Sequence, residues 1–440
     1  MTITHAEPLS VPPHGHPVSL EHGPDGSGGI YTWYVISIIF LVNIFNFMDR
    51  MALAVLAPSI QQEIGISDAE LGMLTGLAYA IFYSCAAIPI ARLADRSSRK
   101  NIIAVSLAIW SLMTALTGAA QTYWQLFIAR MGLGAGEAGG GPPAQSLLCD
   151  YVSPAKRPLA IAANSIGYGV GIAVGMALAG YLGELLGWRM AFVALGTPGM
   201  LLALLVFLSV REPPRGKFDE ASDGAQPSLL TTFNMLRANR FYLWLMVHAA
   251  TASISLFGLN QWWPIFLVRA HHLPLPSVGL LLGAAMGLGA SVGLLAGGLI
   301  GNRLARNGYR PALIACIIAM LSLTPIAVAA NLATAPYIAI ILMGLSMFCH
   351  GFATAPTAAA VYSAVRPEIR ATAGAVAVFF QTVIGSSVGP LIVGIVSEYL
   401  YPSVGADALR NALMIPALAA VPAALALAAA INALARTEVL

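Results

Sequence analysis

Between Arg211 and Arg240 the chain reads REPPRGKFDEASDGAQPSLLTTFNMLRANR, the longest polar interval in 440 residues of which 58% are hydrophobic and 9% charged. Soluble domains carry roughly 25% charged residues. Mean hydropathy is +0.78 over the whole length, so hydrocarbon must replace part of the core. A helix of about 20 apolar residues crosses a bilayer, and counting outward from the polar interval in such units marks six spans before it and six after. They fall near 31–57, 69–91, 101–119, 122–147, 158–183 and 189–210, then 241–268, 278–301, 311–330, 336–362, 371–398 and 410–433. The expected fold is an all-α polytopic membrane protein: twelve transmembrane helices in two six-helix bundles, 30–210 and 241–435, joined by the linker 211–240 with a short surface helix in it.

Lys and Arg gather in the even-numbered loops (2/3, 4/5, 6/7, 8/9 and 10/11), while the opposite face holds only Arg189, Arg269 and Arg410. By the positive-inside rule both termini are cytoplasmic, as expected of an integral protein of a bacterial inner (plasma) membrane. Residues 1–29 are rich in Pro, Gly and His and lack Lys and Arg, which reads as a disordered cytoplasmic tail. Cys85, Cys149, Cys316 and Cys349 lie singly in apolar surroundings with no CxxC pair, so neither a disulfide framework nor a metal site is expected. The net charge of +3 is scattered and implies no nucleic acid. No HExxH motif is present, and GxSxG occurs only at Gly289–Gly293 and Gly385–Gly389 inside apolar spans, away from the strand-to-helix turn that motif requires, which speaks against a membrane enzyme; no cofactor is expected. GxGxxG occurs at Gly134–Gly139, but inside an apolar span with no preceding strand it reads as close helix packing.

ARLADRSSR at Ala91–Arg99 is echoed by GLIGNRLAR at Gly298–Arg306, each after the second helix of its half. Internal repeats of this kind build many secondary transporters. With Lys100 the first copy resembles the loop 2/3 signature of the major facilitator superfamily, approximately G-x-x-x-D-R-x-x-R-K, on Asp95, Arg96, Arg99 and Lys100, with Ala91 in place of the glycine. NFMDR in helix 1, RMGLGAGEAGGGPPAQSLLCDY in helix 4 and VREPPRG after helix 6 are most similar to Spinster-like transporters. That resemblance implies alternating access and an amphiphilic substrate such as a lysophospholipid or sphingolipid. Related N-x-x-D-R and R-x-x-x-G-x-x-E stretches in organic anion symporters imply a soluble carboxylate instead.

Only Asp49, Arg50, Arg130 and Glu137 are charged deep inside a span. A charge near the bilayer centre costs several kcal/mol and by default faces a partner or an aqueous cavity. Helical rise places Asp49 and Arg130 at one level, with Glu137 about 10 Å deeper on the face of Arg130. Arginine keeps its proton, so Asp49 and Glu137 are the proton-coupling candidates, and Arg50 and Arg130 either bind an anionic headgroup or partner the acids. A permanent salt-bridge cluster between helices 1 and 4 is the alternative. Asp95, Arg96, Arg99 and Arg303 form a candidate cytoplasmic gate. Asn260, Gln261, Trp262, His350, Phe380 and Gln381 are weaker cavity candidates in a second half without buried charge, whose wall is expected to be mostly apolar. Asn260–Pro264 is expected to interrupt helix 7, and Pro142–Pro143 to bend helix 4. The expected partners are a small amphiphilic or anionic substrate, protons and the lipid bilayer, handled by a monomer.

Overall fold

The computed structural model describes residues 29–153, 156–214, 229–366 and 369–437. The N-terminal tail and much of the linker therefore lie outside the described residues. In the first half, α1 is Ile30–Ile64, α2 spans 68–96, α3 is Arg99–Thr117, α4 spans 123–151, and α5 (157–186) and α6 (188–209) follow. After a linker helix, Leu229–Ala238, the second half holds α7 (Arg240–His271), α8 (275–304), α9 (Tyr309–Leu332), α10 (Pro336–Ser363), α11 (370–404) and α12 (408–437). Nine continuous stretches among the described residues are long and apolar enough to cross a membrane. Two of them, Asn164–Ser209 and Thr372–Leu434, fold back once and hold two crossings each. With the interrupted α4 this makes twelve.

Local sequence decides each reversal and break. The chain turns between α5 and α6 at Gly187, whose φ of 77° only glycine adopts without strain. The end of α1 and the start of α6 are tied there, with Trp188 and Arg189 both donating to Glu63. Pro142 and Pro143 cannot donate backbone hydrogen bonds, and α4 accordingly stops at Glu137 and restarts at Gly141. The expected interruption of α7 does not occur: one helix runs through Pro264 from Arg240 to His271.

Two kinds of glycine contact organise the bundle. Within the halves, Gly167, Gly171 and Gly175 seat α5 on α1, where a Cβ at Gly175 would come 2.5 Å from Met48 Cα, and Gly385 and Gly389 seat α11 on α7. These ladders are internal packing rather than a sliding surface. Between the halves, Gly72 and Gly76 of α2 lie against the α11 backbone, while Gly279, Gly283 and Gly287 of α8 lie against α5. Each seam begins beside a wide π-type turn, Met73–Leu77 in α2 and Val278–Leu282 in α8, so the two halves repeat even this departure from regular helix.

The face away from the termini, termed distal, is sealed across the halves. Arg269 of α7 grips Asp68 of α2 at 2.7 and 2.9 Å and donates to Gln61 of α1 at 2.6 Å. Ser397 of α11 donates to Asp68 at 2.7 Å, and Glu398 accepts from the Ala69 N–H. The sequence named Arg269 only for its place on this face, and the others not at all.

At the face bearing the termini, Arg99 is buried and paired with Asp150 of α4 at 2.5 Å and with Glu212, just past α6, at 2.8 Å. Burial would raise the Glu212 carboxyl, but hydrogen bonds from the Lys100 N–H, Arg99 and Ser98 hold it below the usual range. Arg99 thus knits together α3, α4 and the end of α6 inside one half, rather than bridging the halves in this conformation. Arg96 and Arg303 are exposed, and the Asp95 side chain lies outside the described residues.

Candidate functional site

A chamber of about 460 Å³ opens between the halves on the side of the termini, within the range of small-molecule sites. Its walls run from the level of Arg50 and Glu137 toward the terminal ends, past Ile39 of α1, Gln145 of α4, Asn164 of α5 and Thr354 of α10.

The charged wall belongs to the first half. Arg50 donates to one oxygen of Glu137 through both Nε and Nη2, at 2.6 and 2.5 Å, and the Tyr79 hydroxyl donates to the same oxygen at 2.8 Å. The other oxygen, Oε1, is buried without a partner among the described residues. The break in α4 immediately after Glu137 and the wide turn of α2 just before Tyr79 are what let these side chains converge. Tyr79 and Tyr83 also present their rings to the guanidinium, whose Cζ lies 4.6 and 5.8 Å from the two centroids. Both residues line the chamber, but the Arg50 side chain is 17% exposed and that of Glu137 0%, so the cation is the more accessible of the two.

The other two charges lie close enough to Glu137 to feel its charge but are not hydrogen-bonded into this pair. Asp49 and Arg130 form no hydrogen-bonded pair, although helical rise puts them level: both Asp49 oxygens are buried without a hydrogen-bond partner among the described residues, and so is Arg130 Nε. Neither residue lines the chamber. Arg130 lines a smaller recess of about 20 Å³ at the distal end, which it shares with Asn260 and Gln261.

The second half supplies an uncharged wall, and it is less apolar than expected. His350, Thr354, Gln381 and Thr382 stand among Leu256, Phe257, Leu294 and Met347. His350 Nε2 is 3.0 Å from the Ala252 carbonyl. Trp262 is not in the chamber: it is fully buried and donates its indole N–H to the Pro390 carbonyl at 2.9 Å. Phe380 packs edge-to-face on Phe379 and against the larger hydrophobic core, which draws on both halves. Tyr79, Tyr83 and Tyr168 were missed by the sequence reading, because an aromatic in an apolar span carries no signal that separates cavity from core.

Two helical lobes, sealed at one face and holding an ion pair at the end of a chamber open at the other, define a membrane transporter rather than an enzyme. The chain matches the Major Facilitator Superfamily over residues 39–390 and belongs to that family. It is 34% identical to an MFS-type efflux pump of Mycolicibacterium smegmatis over 90% of both chains, and 25% identical to a probable L-galactonate transporter of Escherichia coli over 82% of both. Its fold matches the crystal structure of a bacterial homolog to the human lysosomal transporter Spinster, inward-facing and unoccupied. That match has a TM-score of 0.80 and 26% identity, covering 92% of this chain and 99% of that one.

Proposed function

We propose that the protein is a proton-coupled secondary transporter that carries an anionic or zwitterionic amphiphile of the lysolipid class by alternating access. The observation that carries this reading is the Arg50–Glu137 pair in the chamber wall, where the guanidinium is partly exposed and the acid fully buried against it. An anionic headgroup and ionised Glu137 compete for the same edge of Arg50. A proton on Glu137 removes the competitor and frees a planar fork that matches phosphate or carboxylate. Proton and anion then favour each other's binding, and linkage makes that preference mutual.

Asp49 is the second coupling acid. The neighbouring Thr114 hydroxyl donates to the Trp110 carbonyl instead. A buried carboxyl left so is cheaper to hold neutral than ionised, so it gains charge only in a conformation that brings a donor or water to it. With the termini cytoplasmic, the chamber described here is inward-facing. Apolar residues such as Leu256, Leu294 and Met347 offer burial to a hydrocarbon chain.

The polar groups of the second half, together with the relative described as a probable L-galactonate transporter, favour a second reading as a symporter of hydroxylated carboxylates. A thermal melt of the purified protein separates the two. Lysophosphatidylglycerol is expected to raise the melting temperature by several degrees with galactonate inert, since a ligand stabilises only the state that binds it. A shift with galactonate alone would replace the lysolipid reading with the carboxylate one.

A further inference from the structure

The recess beyond the ion pair holds an unusual set of groups. Arg130 comes from the first half and Asn260 and Gln261 from α7 of the second, and their exposures are 4, 2 and 6%. Arg130 Nε, Asn260 Oδ1 and Gln261 Oε1 are all buried without hydrogen-bond partners among the described residues, and all three side chains line the same small space. Buried polar groups are ordinarily satisfied, and each exception asks for an explanation. Arg50, Tyr79, Tyr168, Phe257 and Ser386 line both this recess and the main chamber, so a single layer of side chains separates the two. The recess lies on the Arg130 side of that layer, toward the distal seal.

The donors and acceptors specify what would fit. Arg130 feels the Glu137 and Asp49 carboxyls, yet its Nε is left without an acceptor among the described residues and can take a further anionic oxygen. Asn260 and Gln261 each bring an amide that can accept through oxygen and donate through nitrogen, and so ask for a hydroxyl or ammonium beside that oxygen. We infer that Arg130, Asn260 and Gln261 form a second headgroup station, occluded in this conformation and completed only across both halves, for an anionic group that also carries a hydrogen-bond donor. Phosphoglycerol headgroups and hydroxylated carboxylates share this chemistry. This rests on the transport reading above and assigns the station to the distal-open half of the cycle: a headgroup leaving Arg50 moves one layer outward to Arg130 as the halves rock. At about 20 Å³ the recess is now large enough for one water but not for a headgroup, so the distal seal must part before the station can be filled.

Sided kinetics in oriented proteoliposomes test this, with lysophosphatidylglycerol in one arm and galactonate in the other. In the carried arm, the double variant Asn260→Leu, Gln261→Leu is expected to raise KM at the distal face about tenfold, the loss of a hydrogen bond to a charged or polar group, with KM at the terminal face unchanged. Arg130→Lys, which keeps the charge but loses the fork, should shift the same face. Equal changes at both faces, or none at either, would overturn the station and leave the recess as the seat of a single structural water. Failure of the coupling assignment reads out separately, as transport by the wild type that ignores the pH gradient while the difference between faces is still measured.

Discussion

In proteoliposomes energised by a proton gradient, Glu137→Gln is expected to abolish gradient-driven accumulation of substrate while exchange of substrate for substrate, which needs no net proton movement, persists. The glutamine keeps the shape of the side chain and a partner for Tyr79 but removes the charge that competes for Arg50. Separating one partner from a buried ion pair changes the balance by about 3–5 kcal/mol, and roughly 1.4 kcal/mol already makes a factor of ten. Accumulation should therefore fall to the passive level rather than decline in part. Substrate affinity in the variant should be high and independent of pH, whereas that of the wild type strengthens as pH falls. If Glu137→Gln accumulated substrate like the wild type, the ion pair would be a strut and not a coupling device.

A comparably large effect is expected from Gly76→Val at the seam between the halves. A Cβ at position 76 would stand 2.8 Å from the carbonyl oxygens of both Ser386 and Ser387, which are backbone atoms that cannot swing aside. Overpacking of this kind costs about 3 kcal/mol, and the cost falls only on the distal-closed conformation in which α2 meets α11. At that magnitude the closed state loses roughly two orders of magnitude in population relative to the open one, and turnover should drop in proportion. Ser397→Cys, placed in a cysteine-free background within the distal seal where Ser397 is buried and donates to Asp68, reports the shift, with the same substitution in both proteins so that loss of that one hydrogen bond is common to them. An impermeant maleimide should label it in the Gly76→Val protein and not in the parent. Wild-type turnover with Ser397→Cys unlabelled would mean that the seam does not work as a moving contact.

The intramembrane charges stood out in the sequence because hydrocarbon makes an unneeded ion expensive; Asp49, Arg50, Arg130 and Glu137 could be named from their place inside apolar spans. Which acid meets which arginine was not legible. Helical rise set Asp49 level with Arg130, yet the pair that forms is Arg50 with Glu137, because the break after Glu137 and the wide turn before Tyr79 redirect side chains in ways that regular geometry does not anticipate. The distal latch of Asp68 and Arg269 escaped notice for a different reason. Charges at helix ends are the norm, and only the approach of the two lobes makes these two partners. The same holds for the glycines. The regular four-residue ladder in α5 packs inside one half, while the seam between halves uses Gly72, Gly76 and Gly279, whose spacing does not set them apart. Twelve spans were readable because length and hydropathy suffice to place a helix in a bilayer.

The central claim is that one carboxyl in the chamber gives up its hold on Arg50 by taking a proton when substrate arrives. Calorimetric titration of substrate into the detergent-solubilised protein, repeated in buffers of different ionisation enthalpy, counts the protons taken up on binding. At a pH where Glu137 is ionised in the free protein, uptake approaching one proton per substrate in the wild type and none in Glu137→Gln is the predicted result. Substrate binding without proton uptake in the wild type at every pH, or with the same uptake in the variant, would contradict it.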